Sequence, residues 1–249
     1  MHVSRFEQNP IITSDTGRRI GTNINGPSLI RVPDRLPKPL GQYYLYFAHH
    51  KGRFIRLAYA DTLTGPWHIH SSGTLQLEQS HFTLTPPPLS VLYNPDSQPT
   101  AESETDRLTP HIASPDAYVD EQQRTLRRYY HGLLADGTQL TRLALSRDGL
   151  SFSAREEILA LPDLRVLRHD SYWFGIAMPG TVYRSQDGLT AFERGHQVLD
   201  DNPRHVALRQ FANTLQVFWT RVGDAPERIL CSTIDFTPDW TEWTASTPV

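Results

Sequence analysis

Cysteine is nearly absent from this chain of 249 residues, and so is any long apolar run. The single cysteine, Cys231, lies in the apolar stretch RILCSTI, so a disulfide within the chain is excluded and a buried thiol is expected. It is silent on compartment. No segment nears the roughly 20 consecutive apolar residues needed to cross a bilayer, and the opening MHVSRFEQNPII has no apolar core after a basic start. The expected location is cytoplasmic, or secreted if a signal peptide has been removed, with no membrane partner. A basic excess is also missing: the net charge is -3, which argues against a nucleic-acid partner, whose phosphates demand a positive field. There is no tight metal motif such as HExxH, so no cofactor is expected; a metal would need about three of the 11 histidines to converge.

Helical periodicity is the last absence. No long segment repeats apolar residues at i, i+3, i+4 and i+7; short alternating or aromatic runs are cut by Gly, Pro, Asn and Asp instead. With 38% hydrophobic and 10% aromatic residues, 19 Pro and 15 Gly, the chain is expected to be an all-β single domain over residues 1–249, built of many short strands.

The runs recur in a fixed order. Four units are legible, at Pro27 to Trp67, Pro115 to Phe152, Asp163 to Phe192 and His205 to Trp240. Each reads as strand, turn, aromatic strand, loop, strand, then a turn with Asp, small residues and an aromatic. Asp61, Asp148, Asp187 and Asp235 precede Trp67, Phe152, Phe192 and Trp240 by four to six residues. These Asp residues are expected to accept hydrogen bonds from their own turns, and the aromatics to close over the core. Repeated meanders that cannot each bury both faces are the mark of a β-propeller; a sandwich of hairpins is the alternative. The gap of 87 residues between Asp61 and Asp148 holds HIHSSGTLQLEQ, an outer strand, and a long exposed loop at about 80–110. Val3 to Ile12 could pair with the last blade.

The order NPII (Asn9 to Ile12), GPSLIRV (Gly26 to Val32), YYLYFAHH (Tyr43 to His50), IRLAYADTLTGPW (Ile55 to Trp67) and HIASPDAYVD (His111 to Asp120) resembles the first two blades of the five-bladed β-propeller glycoside hydrolases of the arabinanase and β-xylosidase type, with their neoagarobiose-hydrolase-like relatives. The resemblance implies five blades and a central pocket of three carboxylates: a base in blade one, an orienting Asp in blade two and a general acid further on. Asp116 matches the blade-two Asp. Gly26 stands where the base belongs, with Asn25 before it, and neither can take a proton from water. The later first strands, DLRVLRHD and HVALRQF, show no Glu at the usual place for the acid.

Collecting residues at the starts of these strands and in their loops gives catalytic candidates Asp116, His111 and Asp170, and substrate-binding candidates Asn25, His49, His50, Arg165, His169, Arg204, His205 and Arg221, with His131, Arg53 and Arg56 near by. Such a His- and Arg-rich set suits an anionic sugar. A hydrolase would need Asp116 with a second acid, for which Asp170, Glu102 and Glu104 are the candidates. A lyase would use Arg against a uronate carboxylate and His or Tyr for the proton. A non-catalytic carbohydrate-binding propeller is the third reading. The plainer expectations are that His49-His50 is a solvated turn, that His131 satisfies a backbone group, that Arg127 and Arg128 form a solvated turn face, and that Tyr43, Tyr44, Tyr129, Tyr130, Trp173 and Trp219 are core aromatics.

Overall fold

The computed structural model describes residues 4–17, 19–88, 90, 106–199 and 202–249. Among them lie fifteen strands and two short 3-10 turns, Leu77–Gln79 and Trp240–Glu242. The first sheet is β1 (Ile24–Arg31), β2 (Tyr43–His49), β3 (Phe54–Ala60) and β4 (His68–Gln76), paired in that order. The second is β5 (Ile112–Asp120), β6 (Thr125–Leu133), β7 (Gln139–Ser146) and β8 (Ser153–Ala154). The third is β9 (Arg165–His169), β10 (Tyr172–Ala177), β11 (Thr181–Ser185) and β12 (Glu193–Gln197), and the fourth is β13 (Pro203–Phe211), β14 (Thr214–Arg221) and β15 (Leu230–Asp235). Among the described residues the strand pairs run antiparallel between sequence neighbours, the meander of a propeller blade. The four repeats read from sequence are these four sheets, and the outer strand expected after Trp67 is β4.

β15 gains a further partner from the end of the chain. Val249 and Cys231 exchange both backbone hydrogen bonds at 3.0 Å, and the Ser246 N–H donates to the Thr233 carbonyl at 2.8 Å. Those bonds cover the edge of a three-stranded sheet. Residues 4–12 form turns and bends and no strand, and most of the long loop, with Glu102 and Glu104, lies outside the described residues.

Contacts divide the chain into two compact units. One comprises residues 1–128, 132–139 and 144–156; the other comprises 129–131, 140–143 and 157–249. The same device appears in each. In the first, the Tyr46 hydroxyl, fully buried on β2, donates to the Gly149 carbonyl at 2.8 Å, and its ring meets Phe152 edge-on at 5.7 Å. In the second, the Tyr129 hydroxyl donates to the Gly188 carbonyl at 2.6 Å and its ring meets Phe192 edge-on at 6.1 Å. Both glycines sit in Ser-x-Asp-Gly-Leu turns. Asp148 accepts from the backbone of Leu150 and Ser151, and Asp187 from that of Leu189 and Thr190. Burial works against ionising either carboxyl, but these N–H donors outweigh it and hold both below the usual range. In the first sheet Thr62, rather than the exposed Asp61, holds the turn by donating to the Gly65 carbonyl at 2.8 Å, and Asp235 accepts instead from Thr214 across the sheet at 3.2 Å.

Arg127 and Arg128 are not on a solvated face. They are 3% and 0% exposed. Arg127 donates through Nε to Asp120 at 2.9 Å, clamping the β5–β6 hairpin from within, and the Arg128 guanidinium lies 3.6 Å from the centre of the Phe152 ring while donating to the Thr74 hydroxyl. Two adjacent charges read as a solvated turn face, but a buried guanidinium is stable when a carboxylate or hydroxyl and an aromatic face receive it. The expected core aromatics fit their places, Tyr44, Tyr129, Tyr130, Trp173 and Trp219 being buried and Tyr43 half-buried. Cys231 is buried as expected.

Removing either tyrosine hydroxyl leaves a turn carbonyl without its donor. Tyr46→Phe and Tyr129→Phe are each expected to cost about 1–3 kcal/mol, read as a lower urea midpoint at unchanged slope; a midpoint equal to the parent's would mean the ties are incidental.

Candidate functional site

In the first unit the polar groups gather where β1 and β5 both break their regularity. The pairing of β1 with β2 slips between Asn25 and Ser28, and on β5 Ser114 takes a left-handed conformation at φ 46°. Gly26 in the β1 bulge has φ 58°. A Cβ placed there would come within 2.9 Å of the Ser114 Cα, a backbone atom that cannot swing aside. Position 26 is therefore closed to every side chain, and the carboxylate that the resemblance places in blade one has no room.

Past the bulge, Ser28 turns toward β5. The Ala117 N–H donates to Ser28 Oγ at 2.9 Å, and Ser28 Oγ donates to Asp116 Oδ1 at 3.4 Å. The half-buried Asp116 carboxylate is thus held by a hydroxyl whose own position is fixed by the backbone one residue on. Ser28 was not singled out from sequence. His111 is 2% exposed, just before β5, and its Nδ1 lies 2.7 Å from the Thr109 carbonyl, which makes Nδ1 the protonated nitrogen.

The other candidates in this unit stand apart from that group. His49 Nδ1 lies 3.1–3.2 Å from the Asn23 backbone, and His50 Nε2 lies 3.2 Å from Asp106. Asn25 lines a cavity of about 370 Å³ whose other walls include Ile11, Ile24, Leu45 and Phe47. Arg53 pairs with exposed Glu78 at 2.6 Å. Arg56 packs over the Phe54 ring at 4.1 Å, and burial pushes its guanidinium down to about 10.

In the second unit the structure reveals a group that sequence reasoning missed. Asp163 stands two residues before the first residue of β9, in the left-handed region at φ 61°, and is 4% exposed. Its two oxygens face two imidazoles: His131 Nδ1 at 3.1 Å from Oδ1 and His205 Nδ1 at 3.4 Å from Oδ2. Burial raises the cost of its charge, yet the two histidines outweigh that and hold the carboxyl well below the usual carboxylate range. His131 is buried, whereas the His205 side chain is 36% exposed, so only His205 can present its second nitrogen to solvent or ligand. His131 faces a carboxylate through its Nδ1. The sequence signal was faint: Pro-Asp recurs at Pro33, Pro95, Pro115, Pro162 and Pro238, and the histidines stand 32 and 42 residues from Asp163.

β9 separates the remaining candidates. Arg165 is buried at its start, while His169 and Asp170 lie at its other end, roughly 13–16 Å away at the usual rise per residue. At that far end His169 stacks on Phe236 at 3.8 Å, and Asp170 is exposed, 3.6 Å from His169. Arg204 is exposed beside His205 at the start of β13, and Arg221 closes β14 with NH1 3.9 Å from Asp224. The structure thus brings Asp163, His131 and His205 together and leaves Asp170 elsewhere. Among the described residues no group of three His, Cys, Asp or Glu is arranged to hold a metal.

Several solved structures share this architecture. They include a thermostable family-43 glycoside hydrolase (TM-score 0.58, 14% identity, 90% of this chain and 72% of that one). A GH43 enzyme from Xanthomonas citri is similar at TM-score 0.60 and 12% identity, over 91% of this chain and 74% of that one. A GH43 β-xylosidase/α-arabinofuranosidase from a compost microbial metagenome, solved with xylotriose, is similar at TM-score 0.59 and 11% identity, over 91% and 78%. The fold is a β-propeller of the kind found in family-43 glycoside hydrolases. No established family model matches the sequence. The chain is 31% identical over 278 aligned positions, covering 100% of it and 73% of its relative, to the uncharacterized protein R118 of Acanthamoeba polyphaga mimivirus, and it belongs to that protein's family.

The depressed Asp163 carboxyl sets an acid limit. Its folded value lies below its unfolded one, so its stabilisation is complete above about pH 4 and is lost as pH falls below that toward the folded value. Asp163→Asn is expected to lower stability at pH 7 by about 3–5 kcal/mol and to flatten the decline below pH 4; an unchanged acid limb in thermal melts would contradict the pairing.

Proposed function

We propose that this protein is a carbohydrate-active enzyme, a glycoside hydrolase acting on a poly- or oligosaccharide. The fold likeness supports the substrate class, since one neighbour was solved with xylotriose. It also supports five blades in one domain over residues 1–249. The observation that carries a catalytic reading is the Asp163–His205 pair: an ionised, buried carboxylate whose Oδ2 lies 3.4 Å from Nδ1 of a half-exposed imidazole.

The chemistry departs from two carboxylates in the layout of the resemblance. Position 26 cannot hold a base. Asp163 is kept ionised and cannot itself donate a proton at neutral pH. His205 takes that role: with Nδ1 directed to Asp163, its Nε2 gives a proton to the leaving oxygen or receives one from water. Asp163 fixes the ring and balances the charge that forms on it. In the first unit, Asp116, held by Ser28, is a separate candidate, a carboxylate suited to accept hydrogen bonds from sugar hydroxyls.

A second reading has its own support. Arg204 stands beside His205, and Arg165 and Arg221 lie on neighbouring strands, a set suited to a uronate carboxylate, with His205 removing the proton at C5 in an elimination.

Neutral and uronate-containing oligosaccharides separate these readings. New reducing ends without ultraviolet absorbance of an unsaturated uronate mean hydrolysis; both signals mean elimination. In either case His205→Gln is expected to reduce turnover by about 10²–10⁴-fold, with Asp116→Asn also impaired. Binding without cleavage by the parent protein, or full turnover in both variants, would overturn the enzymatic assignment.

A further inference from the structure

The far end of β9 holds a second cavity, of about 500 Å³, wholly within the second unit and apart from Asp163. Three turns form its mouth. Asp170 and Ser171 join β9 to β10, Asn213 joins β13 to β14, and Thr237 and Pro238 follow β15. Contact between Gln210 Nε2 and His169 Nδ1 at 3.3 Å ties the ends of β13 and β9 at this level.

The cavity has an aromatic floor and a polar rim. Phe174, Phe236, Trp240 and Trp243 pack on one another with ring centroids 4.6–6.3 Å apart. His169, flat on Phe236, and half-buried Tyr172 form the walls. The Arg184 guanidinium lies 4.9 Å from the Tyr172 ring centre and 4.8 Å from that of Trp240, and its charge is answered by Glu193 at 2.8 Å. At the rim the Asp170 carboxylate is exposed, and Asn213, which also lines the cavity, donates its amide N–H to the Phe236 carbonyl at 3.1 Å. Ser171 and Thr237 add hydroxyls.

We propose that this cavity is a second carbohydrate-binding site, which holds a neutral sugar ring away from the catalytic groups. The chemistry of the lining selects that ligand. A pyranose offers an apolar C–H face, which an aromatic floor accepts, and an equatorial girdle of hydroxyls, which carboxylate, amide and hydroxyl groups receive. Arg184 is already neutralised, so the site has no surplus positive charge for a uronate, sulfate or phosphate. Its volume suits one or two sugar units rather than a large hydrophobic ligand. Asp170 and His169 are then ligand-binding groups of this site. The inference rests on the carbohydrate reading above for its substrate class, and a polysaccharide anchored here would raise the local concentration of its own chain at the catalytic groups.

The test uses Asp116→Asn protein, in which consumption of the sugar is slowed, with xylotriose and maltotriose as probes. The indole N–H resonances of Trp240 and Trp243 are expected to shift on titration with at least one of them. Adding Asp170→Ala, or separately Asn213→Ala, is expected to weaken that binding at least tenfold with the fold retained, as the unshifted remainder of the spectrum shows. If these indoles respond while no parent activity is found on any glycan, the second site stands and the enzymatic reading falls. If glycans are cleaved but neither indole moves, or if both rim variants bind like the Asp116→Asn protein, the second site is overturned.

Discussion

A tyrosine hydroxyl meeting a glycine carbonyl is the interaction on which the rest of this structure depends. Each blade-like sheet is a narrow meander with too little apolar area to stand alone, and it must be fastened to its neighbour through a turn. Tyr46 with Gly149 and Tyr129 with Gly188 do so identically, and each bond is sealed by an edge-on phenylalanine. Where the third sheet supplies Phe174 instead of a tyrosine, the hydrogen bond is gone and a cluster of Trp240, Trp243 and Phe236 replaces it. That substitution of packing for polarity is also what makes the aromatic cavity at that end.

The fixed blades constrain the chemistry. Because β1 and β5 approach closely at their bulges, only glycine fits at position 26 and the expected base is excluded by backbone contact rather than by chance replacement. The carboxylates that remain differ sharply in surroundings. Asp116 is half-buried and accepts from the Ser28 hydroxyl, whereas Asp163 is buried between two histidines. Environment, not residue type, is what separates the two carboxylates.

The sequence displayed the fold well because the repeat is local: aromatic strand, Ser-x-Asp-Gly-Leu turn and closing aromatic all fall within about forty residues. Asp116 was legible for the same reason, as part of the Ser-Pro-Asp corner. Asp163 was not, since its meaning lies in histidines on two other strands. Arg128 was misread because its partners, Thr74 and Phe152, are distant in sequence, so that only the structure shows a guanidinium inside the core. Asp170 and His205 looked alike as polar residues at strand ends; which end of a strand faces which neighbours is a tertiary fact.

The account turns on His205 as the proton carrier oriented by Asp163. Nitrogen-15 NMR of the histidine side chains, without and with a saccharide that the protein binds or cleaves, examines it directly. The account predicts a protonated Nδ1 on His205 in the free protein and a change at its Nε2 when the saccharide is added. A His205 ring protonated only at Nε2, or one whose signals do not move while the saccharide is bound, would contradict it.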